Sequence, residues 1–166
     1  MSTITHGFDW PDRFIVGTVG LPGDRTFYLQ AKDHDRIFSV ALEKQQSAAL
    51  ADGIGELLGQ LRELEGNPAS VPDETDALLV DNEPLDLPHD EEFRVGVLTL
   101  GWDPTTTQVV IEAAPAPDVD PEQLEDITSI EDIEPEQLFV VRIPVGSALA
   151  FVERTRAVVA AGRGQQ

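Results

Sequence analysis

The chain has 166 residues, 41% of them hydrophobic and none of them Cys, and sets 11 Lys and Arg against 31 Asp and Glu for a formal net charge of −20. This length supports one compact core and excludes a multidomain enzyme, while the lack of Cys excludes disulfides, thiolate metal sites and cysteine nucleophiles; with only His6, His34 and His89 scattered along the chain, neither a metal site nor a cofactor is expected. The charge speaks against nucleic acid and anionic membranes as partners, since both are met by Lys and Arg, and no apolar run reads as a membrane span or signal peptide, which points to the cytoplasm.

The acids are unevenly placed. Residues 65–92 hold ten and residues 115–137 hold nine, with no Lys or Arg in either, so these segments carry −19 of the −20 and the other 12 acids face 11 bases. Eight of the 12 Pro also fall there. Like charge, Pro and low hydrophobicity predict two long, solvated acidic loops set into a single domain that spans 1–166.

Taken in chain order, Arg13–Val19 is rich in β-branched residues and ends at the turn cluster Gly20-Leu21-Pro22-Gly23-Asp24, which reads as a strand and a turn. Phe27, Leu29 and Ala31 alternate with polar neighbours, as do Phe38, Val40 and Leu42; the two segments predict a hairpin turning at Lys32–Arg36. Leu50, Ile54, Leu57, Leu58, Leu61 and Leu64 follow helical spacing from about Ser47 to Leu64. The order then repeats. Phe93–Leu100, Gln108–Ala113 and Leu138–Ile143 read as strands, and a helix from about Ser147 carries Ala148, Phe151, Val152, Thr155, Val158 and Val159 on one face.

Phe38, Val40 and Leu42 correspond to Phe139, Val141 and Ile143, and Ser47-Ala48 to Ser147-Ala148. The sequence therefore predicts an α+β fold of two βββα units, 13–64 and 93–163, sharing a curved antiparallel sheet or partly closed barrel with the helices packed on it.

The strings Arg13–Ala31, Ser39–Lys44, Pro84-Leu85-Asp86 and Glu91–Gly96 resemble the actinobacterial family called domain of unknown function 3090. The resemblance implies a small cytosolic protein without an established activity, with phosphatase-like or kinase-like neighbours as partners. It also implies a short Cys/His-rich tail, similar to a zinc knuckle, beyond Ala161-Gly162-Arg163; the sequence here ends at Gly164-Gln165-Gln166 without Cys.

Gly17, Gly20 and Gly23 superficially match a phosphate loop, but the next element reads as a strand rather than a helix, so turn geometry explains them better. Asp118-x-Asp120-x-Glu122 begins like a calcium loop, yet Gln123 and Ser129 occupy the positions that need Gly and Glu. No catalytic group can be singled out, and enzymatic activity is left open. The sharper ligand-binding candidates are Arg25, Gln30, Glu43 and Lys44, which flank or occupy two adjacent strands and would converge on one exposed sheet face, with Arg94 and Arg142 in the second unit. Guanidinium forks suit phosphate or carboxylate, while cross-strand ion pairing is the plainer alternative.

Leu124, Ile127, Ile130 and Ile133, recurring every third residue in the second acidic segment, read as a short amphipathic turn that folds back or meets a protein partner. Three functions stay open: a noncatalytic binding or adaptor module, which leads; a small enzyme or ligand-binding protein for an anionic metabolite; and an acidic mimic of nucleic acid. A cleft lined by the named residues would favour the second, and a flat apolar patch the first.

Overall fold

The computed structural model describes residues 3–21, 23–88, 90–116 and 135–161. A leading strand β1 (Ile4–Asp9) precedes two βββα runs: β2 (Arg13–Val19), β3 (Thr26–Asp33), β4 (Arg36–Leu42) and α1 (Lys44–Glu63), then β5 (Glu91–Asp103), β6 (Gln108–Pro115), β7 (Gln137–Pro144) and α2 (Val145–Ala161). All seven strands form one sheet in the order β1-β7-β6-β5-β4-β3-β2. Within each run the strands are antiparallel, joined by short connections between β2 and β3, β3 and β4, and β5 and β6, whereas residues 116–136 separate β6 from β7. Phe38, Val40, Leu42 and Phe139, Val141, Ile143 are all buried, each set on the strand that leads into its unit's helix.

The sheet is mixed rather than wholly antiparallel. β4 pairs parallel with β5 because α1 and the segment after it return the chain to the same end of the sheet, and β1 pairs parallel with β7. β1 has no counterpart in the expected elements: only Phe8 of Ile4–Asp9 is buried, so the stretch carries no apolar alternation. β5 also runs past Leu100, where the expected strand ends, through Gly101–Asp103.

The sheet curls for a geometric reason. Its outer strands β1 and β2 would stand roughly 29 Å apart in a flat seven-stranded sheet, yet Trp10-Pro11-Asp12 alone joins them, a link reaching at most about 14 Å. The curl lays β1 against β4: Arg36 sits 4.1 Å from the Phe8 ring centroid and donates to the Gly7 carbonyl at 3.0 Å, and His6 stacks on Phe38 at 4.3 Å. β1 and β2 do not pair, so the barrel stays open.

Both helices close over the concave face. α1 buries Leu50, Ile54, Leu58 and Leu61, each worth about 1.5–3 kcal/mol of burial, and α2 buries Ala148, Phe151 and Val152, with Phe151 stacked 4.6 Å from Phe14 of β2. α1 starts earlier than its apolar stripe: Glu43 and Gln46 form a reciprocal capping box. Leu64, assigned to the stripe by spacing, lies beyond the helix and is 52% exposed. Gly20 and Gly23, at φ +112° and +87°, supply the left-handed backbone of the turn before β3.

Segment 65–92 departs from the solvated loop expected of it. Its described residues are irregular apart from a 3-10 turn at Ala77–Leu79 and Glu91-Glu92, which open β5, but Ala69, Val71 and Leu85 are buried. Leu85 enters a socket over Gly17, where a Cβ would lie 2.6 Å from the leucine Cγ. Most of segment 115–137, including Leu124, Ile127, Ile130, Ile133 and the Asp118–Glu122 motif, lies outside the described residues, as does His89. Among the described residues no helix is long and apolar enough to cross a membrane.

Candidate functional site

Three chain segments meet at the end of the sheet where β3 begins and β4 ends. The Gly23 turn delivers Arg25 just before β3, the end of β4 delivers Glu43, and the first helical residue of α1 is Lys44. Parallel pairing of Ala41 with Arg94 brings the second unit's Arg94 alongside. Together Gly23, Arg25, Thr26, Phe27, Leu42, Glu43, Lys44 and Arg94 line an open cleft of about 490 Å³.

The cleft holds three cations and one acid. Glu43 meets Arg94 at 3.2 Å, and both are largely exposed. Arg25 and Lys44 are half-buried and make no ion pair among the described residues, and the Arg25 Nε is buried without a hydrogen-bond partner. The positive dipole end of α1 also lies at this corner, since its N-cap Glu43 and first helical residue Lys44 both line the cleft. An anionic group placed here would gain charge-assisted hydrogen bonds and would complete an unsatisfied guanidinium.

Of the four residues singled out by sequence, the structure brings Arg25, Glu43 and Lys44 together and removes Gln30. Gln30 is 1% exposed under segment 65–92: its Nε2 donates to Ser39 Oγ and to the Asp86 carbonyl, both at 3.0 Å, and its Oε1 accepts from the Asp86 N–H at 2.8 Å. Its polar place in the strand alternation reflects a buried hydrogen-bond site rather than an exposed face. Arg142 is paired with Asp103 and bonds Gln108 at 3.3 Å, away from the cleft. Phe27 and Leu42, which wall the cleft, were legible only as core residues.

A second basic cluster is built differently. Arg13 forms a fork on Asp81, Nε to Oδ2 at 2.7 Å and Nη2 to Oδ1 at 2.8 Å, and its Nη1 donates to Asp86 at 2.8 Å. From α2, Arg154 donates Nε to the Val16 carbonyl at 2.9 Å and Nη1 to the Asp81 carbonyl at 2.7 Å. The Arg13 hydrogen bond holds the Asp81 carboxyl below its ordinary value, and the same contact raises Arg13; Arg154, shielded from water, is lowered by burial, though Asp81 opposes this. These arginines clamp the acidic segment onto the outer edge of β2. Asp12, Asp33 and His34 also lie close, with ligand atoms within 4.8 Å of one another, but Asp12 Oδ2 accepts the His34 backbone N–H at 2.8 Å and the group reads as a clamp on the β3–β4 turn.

Fold and cleft thus define a small α+β protein with a curled mixed sheet and a cationic corner. Residues 6–165 match the family described as "Protein of unknown function (DUF3090)", and the chain belongs to it. No curated protein and no solved structure matches the chain.

Proposed function

We propose that the chain is a noncatalytic binding module that holds an anionic group, phosphate or carboxylate, of a small metabolite in the Arg25–Lys44–Arg94 cleft. One observation carries this reading: in a protein of net charge −20, three cations share a cleft with a single acid, and two of them have no ion-pair partner among the described residues. Isolated cations on so acidic a chain would ordinarily be drawn into internal pairs, as Arg13 and Arg154 are. Sites for small anions use this composition: guanidinium for bidentate contact, ammonium as a point charge and a helix N-terminus behind them.

The test is thermal denaturation with inorganic phosphate, pyrophosphate and citrate, comparing wild type with Arg25→Ala and Lys44→Ala. A ligand that binds only the folded chain raises its melting temperature by mass action. The rise should shrink in both variants and with added salt, which screens charge over about 8 Å at physiological strength. Equal rises in all three proteins would remove the cleft from consideration.

A further inference from the structure

At the opposite end of β3, roughly 23 Å away along the strand, exposed apolar side chains gather where the β1–β2 link, the 3-10 turn and α2 meet. Two depressions of about 90 and 390 Å³ share Asp12, Leu79 and Asp81 and so form one groove. Trp10, Leu78, Leu79 and Val80 line it, half of the eight large apolar side chains that are exposed among the described residues. Single exposed apolar residues are ordinary, but a contiguous group at a groove is not.

These side chains are held in place. Asp76 accepts the Leu78 N–H at 2.9 Å and so caps the 3-10 turn, which presents Leu78 at 91% exposure. The Arg13–Asp81–Arg154 clamp fixes the chain immediately after the turn. Trp10 sits at φ +57°, a region that bulky residues rarely occupy, with its N–H bonded to the Arg142 carbonyl at 2.8 Å and its indole 66% exposed. Ordered aromatic and aliphatic anchors lose little freedom on binding, which is the property of interface hot spots.

Charge selects the occupant. The two arginines at the groove are matched by two carboxylates, Asp81 and Asp86, whereas Asp12, Glu83 and Glu153 stand exposed around it. The free charge presented to a partner is therefore negative, and a second copy at −20 or an anionic membrane would be repelled. We infer that this groove docks a basic amphipathic segment of a partner protein, its apolar residues seated on Trp10, Leu78 and Val80 and its Lys or Arg facing Asp12, Glu83 and Glu153.

A fluorescein-labelled peptide about four helical turns long, with Leu at i, i+3, i+4 and i+7 and Lys elsewhere, is the probe. Fluorescence anisotropy should show saturable binding to wild type, weakened at least about tenfold by Trp10→Ser and by the pair Leu78→Ser, Val80→Ser, although neither changes net charge. Asp12→Asn with Glu83→Gln should weaken it several-fold and flatten its salt dependence. Circular dichroism melts confirm that these surface variants fold. Equal binding by wild type and the Ser variants would mean that the peptide merely follows the acidic segments, and would overturn the proposal, as would no binding by wild type. Sedimentation of wild type as a dimer that Leu78→Ser dissolves would assign the groove to self-association, and loss of phosphatidylcholine-vesicle binding in the Ser variants would assign it to a membrane; either result overturns the inference.

Discussion

Two groups of basic side chains flank the same three strands and meet opposite fates. Arg13 and Arg154 are matched in the folded chain by Asp81, Asp86 and backbone carbonyls, and they bind a piece of the protein itself. Arg25, Lys44 and Arg94 have one exposed carboxylate beside them, which pairs with Arg94 alone among the described residues, and the buried Arg25 Nε has no partner. The residue types are nearly the same, so chemistry alone does not separate structure from binding. What separates them is whether the chain's own acids reach them. A surplus of 20 negative charges makes an unmatched cationic corner the exception that needs explaining.

The largest expected effect comes from breaking the matched group. Asp81→Asn keeps the shape but leaves Arg13 and Arg154, 19% and 10% exposed at their side chains, without their shared carboxylate. Removing one member of a partly buried pair should cost about 2–3 kcal/mol, toward or below the low end for fully buried pairs, and should lower the melting temperature by about 5–10 °C for a chain of this size. Denaturant melts measure it, and a loss under about 0.5 kcal/mol would mean that the clamp is ornamental. Acid should do the same reversibly. The folded Asp81 carboxyl is held below its ordinary value of 3.8, so its contribution is fully present above that value and is lost as pH falls through the lower folded one. Stability of the Asp81→Asn variant should therefore decline less than wild type below about pH 4, and parallel declines would contradict the clamp.

How much of this was legible depended on the range of the signal. The two βββα runs were readable because Phe38, Val40, Leu42 and Phe139, Val141, Ile143 alternate locally and Leu50, Ile54, Leu58 and Leu61 recur at helical spacing. β1 was not, since five of its six residues are not buried and its place is set by pairing with β7, more than 130 residues on. Segment 65–92 misled because composition averages over residues: it gives the sign of Asp81 and Asp86 but not that Arg13, some 70 positions earlier, waits for them. Gln30 misled for the same reason, its alternation being correct and its covering segment distant in sequence. That Arg25, Glu43 and Lys44 lie near one another could be read from sequence because the turn and hairpin that gather them are local.

A smaller stability effect and a large binding effect are expected at the unmatched group. Arg25→Ala with Lys44→Ala removes two half-buried cations that have no ion-pair partner among the described residues. Stability should change by no more than about 0.5–1 kcal/mol, whereas pyrophosphate affinity, read by isothermal titration calorimetry, should fall at least about tenfold, the loss of one or two charge-assisted contacts. A large destabilisation with unchanged affinity would reverse the assignments of the two clusters.

Glu43→Gln should have the smallest effect, and it separates the two roles by sign. Gln keeps a side-chain oxygen for the capping box, so α1 should lose only the favourable placement of a negative charge at its N-terminus, about 0.3–1 kcal/mol. The same change removes the cleft's one acid and releases Arg94 from its 3.2 Å pair. A repulsion between unit charges about 6 Å apart in water amounts to about 0.7 kcal/mol, so affinity for pyrophosphate should rise roughly threefold while the protein becomes slightly less stable. Calorimetric titration beside a denaturant melt reads both quantities on one sample. If affinity fell together with stability, Glu43 would be orienting Arg94 for the ligand rather than opposing it, and the cleft would have to be counted as an ion-paired site like that of Arg13 instead of its opposite.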